Sequence, residues 1–267
     1  MRAFVLAWLL WLGSAATQAA GFDHGLWDGL LQAHVADISN GHATAVDYAG
    51  MARERARLKT YLNALTAVKP AEYRRWSQAD RLAFLINAYN ARTVELVLTR
   101  YPDLDSIKDV GGLFGSPWKR RFIPLLGKNR SLDDIEHGLI RADGAFEEPR
   151  IHFAVNCASV GCPALRGEAY VGARLDAQLE DATRRFLADR SRNRFNPKTQ
   201  RLEVSKIFDW YRQDFERGWG GYTQLAQFFS RYADALADTD DDRKMLRTGQ
   251  FRLAYLDYSW TLNARGS

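Results

Sequence analysis

Between residues 76 and 102 the chain reads WSQADRLAFLINAYNARTVELVLTRYP, and its apolar positions recur at helical spacing. Leu82, Leu85, Ile86, Tyr89, Leu96 and Val97, with Thr93 among them, form one stripe and predict an α-helix. Phe84, Ala88, Ala91 and Leu98 fall on the other side, so this helix is expected to be buried nearly all round. Ser77 followed by Asp80 has the form of an N-terminal capping box, and Pro102 stands just beyond the end. Asn87 and Asn90 interrupt the apolar run on one face. A buried amide without partners costs about 1–3 kcal/mol, so each must either bond nearby backbone or orient groups in a pocket.

The remaining pattern is less regular. Residues 24 to 66 read as helices, with Leu26, Leu30 and Leu31 spaced for one and Leu58, Leu62 and Leu65 for another. Phe122 to Leu126 followed by Gly127-Lys128-Asn129 suits a strand and turn. Ser131 and Asp134 cap a predicted short helix, LDDIEHGLIR, whose apolar side Glu136 borders. A carboxylate there should be partly buried, with Arg150 and His152 as its expected partners. His137 has Asp133 and Arg141 four residues to either side, which suits a surface ion pair. RIHFAVN alternates as a strand, placing His152, Ala154 and Asn156 on one face and Ile151, Phe153 and Val155 on the other. Helices are expected over 174–190, 205–218 and 222–236, the second burying Ile207, Trp210, Tyr211 and Phe215. FRLAYLDYSWTLN predicts a closing strand. Helices and strands do not alternate regularly, so the expected class is α+β, with a central buried helix packed on a small, mainly antiparallel sheet.

The first twenty residues stand apart. An Arg, an apolar run from Ala3 to Leu12 and small residues ending at Ala19-Ala20 have the layout of a signal peptide. The run is shorter than the roughly 20 residues a spanning helix needs, and no later stretch is apolar enough either. The expectation is a single domain over 21–267, periplasmic or secreted, with no transmembrane span once the signal is removed. A chain that is 46% hydrophobic and 12% aromatic can bury a sizeable core. The formal net charge of +5 arises from scattered clusters such as Lys119-Arg120-Arg121, with acids between them. No aromatic-interleaved basic stripe occurs, so nucleic acid is not an expected partner.

Export bears on the stretch HFAVNCASVGCPALR, which holds both of the chain's cysteines and one of its five histidines. Three readings are open. Cys157 could be a nucleophile with His152 or His137 as base and Glu136, Asn87 or Asn90 as orienter. In an extended strand residues 152 and 157 would lie about 16 Å apart, so the chain must then turn after Asn156. Alternatively Cys157 and Cys162 form a disulfide, the usual state of paired cysteines in an oxidising compartment. A metal site drawing on His137, His152, Cys157 and Cys162 matches no familiar ligand spacing, and no metal or other cofactor is expected.

FLINAYNA (84–91), SLDDIEHGLIR (131–141), RIHFAVNCASVGCPAL (150–165), SKIFDWYRQDF (205–215) and YLDYSWTLN (255–263) together resemble the family known as domain of unknown function 547. The resemblance implies positions, not a reaction. A papain-like or transglutaminase-like core would set a helix against a strand bearing His152, but would carry its nucleophile where this chain has Asn87 or Asn90. Two functions follow as expectations. One is a thiol-dependent hydrolase or acyl-transferase acting on an amide or ester. The other is a disulfide-stabilised binding or accessory domain for a small-molecule or cell-envelope ligand.

Overall fold

A computed structural model describes residues 21–111 and 115–266. The expected signal segment, 1–20, lies outside the described residues. In chain order the regular elements are α1 (Gly25–His34), β1 (Val35–Ile38), β2 (Ala43–Val46), α2 (Tyr48–Arg53), α3 (Arg55–Ala67), α4 (Pro70–Tyr73) and α5 (Gln78–Leu98). Then come β3 (Ile123–Leu125), β4 (Lys128–Arg130), α6 (Leu132–Ile135), α7 (Leu175–Ala188), β5 (Arg194–Asn196) and β6 (Arg201–Val204). The chain closes with α8 (Ile207–Trp210), α9 (Leu225–Arg231), α10 (Ala233–Leu236), α11 (Asp240–Arg247) and β7 (Arg252–Tyr255). The class is α+β. Its strands form three small sheets, antiparallel except where β6 runs parallel to β7.

Helix α5 is the axis of the larger core. Its stripe and its opposite side are both buried, against Trp27, Leu30, Tyr61, Leu62 and Leu65 of α1 and α3. The Ser77 hydroxyl accepts from the Asp80 N–H at 2.9 Å, which supplies one of the helix's first orphan donors with a partner. A second core gathers Phe153, Phe186, Phe208, Phe215, Phe228 and Phe229. Fully burying one such ring contributes about 1.5–3 kcal/mol.

Several expected elements take other forms. Within 24–66, expected to be helical, Val35–Ile38 and Ala43–Val46 pair as antiparallel strands. Residues Pro149–Phe153 make a 3-10 helix instead of a strand. Pro149 suits its first turn, and Glu148 accepts from the Arg150 N–H at the N-terminus. The segment lies between the two cores and is buried from Ile151 to Asn156, so alternation of residue types marked no solvent face. Residues 205–218 are broken: α8 stops at Trp210, and a 3-10 turn covers Arg212–Phe215. The break leaves Trp210 48% exposed, contrary to its expected burial. The closing strand ends at Tyr255, after which the chain runs irregularly past the cysteine loop. Among the described residues no helix is long and apolar enough to cross a membrane.

Candidate functional site

The 3-10 turn decides where His152 points. His152 lines a cavity while Phe153, the next residue of the turn, enters the second core. The His152 ring is buried, with Nε2 2.7 Å from Oδ2 of Asp214 and its face stacked on Tyr211 at 4.0 Å. A carboxylate only accepts, so Nε2 carries the proton and Nδ1 of the neutral ring is a bare acceptor. That Nδ1 is buried and has no partner among the described residues.

Asp214 is itself fully buried and held from three sides. Arg141 donates to it through Nε at 2.5 Å and through a terminal nitrogen at 3.1 Å, and Arg217 lies at 2.8 Å. Burial pushes the Asp214 carboxyl up, but hydrogen bonds from His152 and Arg141 outweigh it and hold the pKa at about 2. For His152, loss of hydration pushes the pKa below its ordinary value despite the Asp214 carboxylate. Burial is the leading cause, and the neighbouring Arg141 guanidinium adds a smaller push in the same direction.

Asn90 and Asn156 place the cysteine loop. Asn90 in α5 donates to the Ala154 carbonyl at 2.9 Å and accepts from the Asn156 N–H at 2.8 Å. Asn156 in turn accepts from the Ala158 N–H at 2.9 Å and donates to the Pro163 carbonyl at 2.7 Å, tying both ends of the loop. Between those ends Cys157 and Cys162 form a disulfide, with Cα atoms 6.1 Å apart. The tight bend falls at Ala158, whose φ is +62°. Gly161 is required for closeness: an added Cβ would stand 2.8 Å from the Ser259 carbonyl and from the Tyr258 ring. The Tyr258 hydroxyl lies 3.2 Å from each sulfur and 3.1 Å from the Ser159 hydroxyl. Burial pushes the Tyr258 phenol up to about 12.

The disulfide and His152 border one cavity of about 180 Å³. Tyr89, Tyr211, Tyr258, Trp118, Trp210 and Trp260 supply its aromatic walls, and Asp133, Glu136 and His137 line it as well. Glu136 arrives through a change of helix type. The expected helix after Ser131 begins as α6, with the capping box to Asp134, then widens into a π-turn over Glu136–Ile140. Such turns recur at functional sites. Glu136 is 5% exposed, and both the Tyr89 and Tyr211 phenols hydrogen-bond to it; burial first, then Glu136, pushes both phenols upward. Burial likewise raises the Asp133 carboxyl.

The sequence-derived residues therefore divide. His152, Glu136, His137, Cys157 and Cys162 meet at the cavity. Asn87 does not: its amide is engaged with the backbone of Tyr170, donating at 2.7 Å and accepting at 3.0 Å. Asn90 and Asn156 stand behind the cavity as backbone clamps. Arg150 is not the partner of Glu136. The 3-10 turn sends it toward Glu148, Asp176 and Glu180, where the hydrogen bond to Glu148 is the first cause of its raised pKa. His137 does meet both expected neighbours, Asp133 at 3.9 Å and the Arg141 guanidinium. Sequence reading missed Asp214, Tyr211, Tyr258 and the three tryptophans as site residues. SKIFDWYRQDF and YLDYSWTLN contained all of these except Trp118, but no local spacing ties them to His152.

A family model described as "Protein of unknown function, DUF547" matches residues 73–187, and over this stretch the chain is similar to that family. The match covers α5, Glu136, His152 and the disulfide loop, while Asp214, Trp210, Tyr258 and Trp260 lie beyond it. Comparison with curated proteins finds no match, and neither does comparison with solved structures.

Proposed function

We propose that the protein is an exported, disulfide-stabilised binding domain of the cell envelope, and that the aromatic cavity is its ligand site. The observation carrying this reading is a cavity with aromatic walls, one border a closed disulfide, and a lining residue, His152, whose buried Nδ1 has no partner among the described residues. Apolar concavities with a few convergent polar groups are the common form of small-ligand sites. The bridge supports an oxidising compartment, since such bonds persist there and are rare elsewhere.

A second reading rests on the Asp214–His152 pair. In reduced protein, Cys157 Sγ would attack an acyl carbon and pass its proton to Nδ1 of His152. The alcohol or amine would leave with that proton, and water, deprotonated by His152, would then cleave the thioester. Asp214 would keep the ring in the required tautomer.

One set of measurements separates the two. Iodoacetamide applied to unreduced protein should label neither cysteine. Small aromatic amines, alcohols and acids, screened by ligand-observed NMR, should yield hits that Trp210→Ala abolishes and Cys157→Ser retains. Hits indifferent to Trp210→Ala would remove the cavity from consideration. Ester hydrolysis that appears only with reductant and disappears in Cys157→Ser would favour the thiol enzyme instead.

A further inference from the structure

The cavity's buried polar groups are unbalanced in one direction. Glu136 is buried, yet among the described residues no ion pair reaches it, and its partners are two phenols. Burying a carboxylate without a counter-charge is unfavourable, and such groups are normally paired. Arg141 acts on Glu136 only through space, its hydrogen bonds going to Asp214 and His137. His152 Nδ1, also buried and unpartnered, can only accept a hydrogen bond. Asp133 adds a second carboxylate to the lining, with Lys119 and His137 close enough to moderate it. At the rim, Lys108 Nζ stands 3.8 Å from the centroid of Trp260, whose ring is stacked with Trp210.

We propose that the cavity takes an organic cation, an ammonium that donates to Glu136 and His152 Nδ1 while its apolar body lies against Trp118 and Trp210. This rests on the binding-site reading above and adds the chemistry of the ligand. Among the described residues no group of three His, Cys, Asp or Glu side chains is arranged to hold a metal ion, which points to an organic cation. An anion would meet two carboxylates and no free guanidinium. Ring faces also attract cations, as Trp260 does for Lys108.

The test compares three probes of similar size by tryptophan fluorescence: 2-phenylethylammonium, 2-phenylethanol and 3-phenylpropionate. The ammonium should bind at least about tenfold more tightly than the alcohol, the scale of a hydrogen bond to a charged group. The propionate should bind more weakly than both. Glu136→Gln should cut the preference for ammonium to about twofold or less while leaving the alcohol's affinity in place. If that variant fails to fold, the ¹⁵N shift of His152 Nδ1 in the unaltered protein decides. It should move with the ammonium and stay fixed with the propionate. Alcohol or propionate binding as tightly as the ammonium, with Trp210→Ala abolishing it, overturns the cation but keeps the ligand site. No binding by any of the three overturns both.

Discussion

At the scale of single residues, Asp214 is the buried hub. Its carboxylate is the common counter-charge of Arg141 and Arg217 and the orienter of His152. Asp214→Asn keeps the shape but removes the charge, leaving Arg141 without its carboxylate partner and Arg217 with only the exposed Asp143. Breaking a buried pair in this way typically costs about 3–5 kcal/mol. Urea unfolding should show a loss of about 3 kcal/mol, together with a His152 ring no longer held with its proton on Nε2. A loss below about 0.5 kcal/mol, the usual range for surface changes, would mean that the cluster is not the charged hub described here. Sequence could not single out Asp214. It lies 62 positions from His152, and an Asp between Gln213 and Phe215 reads as an exposed acid.

At the scale of elements, α5 acts on the cavity through Asn90. Asn90→Ala removes both the bond to the Ala154 carbonyl and the bond from the Asn156 N–H. Two buried backbone groups are then left without partners, at about 1–3 kcal/mol each. Thermal unfolding should register destabilisation of that order, and amide exchange should speed up at Asn156 before it does in the rest of α5. Unchanged exchange at Asn156 would show that the disulfide alone holds the loop. The helix, its cap and its all-round burial were legible because they are local: apolar spacing and the Ser77 cap need only near neighbours in sequence. The segment 149–156 was misread for the opposite reason. Alternation signals a strand only when one face meets water, and here both faces are covered by core.

At the scale of the whole molecule, acid should weaken the fold through its buried histidines. His24 is bonded to the Tyr61 hydroxyl at 2.7 Å, and burial lowers its pKa from 6.5 to about 4. His152 shifts in the same direction. Below pH 6.5 the unfolded chain takes up protons that the folded chain refuses. The stability from these rings is therefore complete above pH 6.5 and is lost as pH falls, for His24 toward 4. For His24 alone the full shift corresponds to about 3 kcal/mol. Urea unfolding at pH 7 and pH 4.5 should differ by about 2 kcal/mol or more, and His24→Gln should shrink that difference. A stability profile flat across this range would contradict the buried, neutral state of both rings.

Local pattern determined what depends on near neighbours along the chain. It set the central helix and its cap, the strand at β3, the Ser131–Asp134 capping box, the α+β class and the cysteine pair in bridging reach. Tertiary structure alone decided the site. Glu136 faces the cavity because a helix widens into a π-turn, and His152 faces it because a buried segment coils instead of extending. Asp214, Tyr258 and the tryptophans reach it from segments remote in sequence. Their meeting depends on the packing of two cores against the 149–156 segment, and periodicity within any one segment carries no information about which distant segment will cover it.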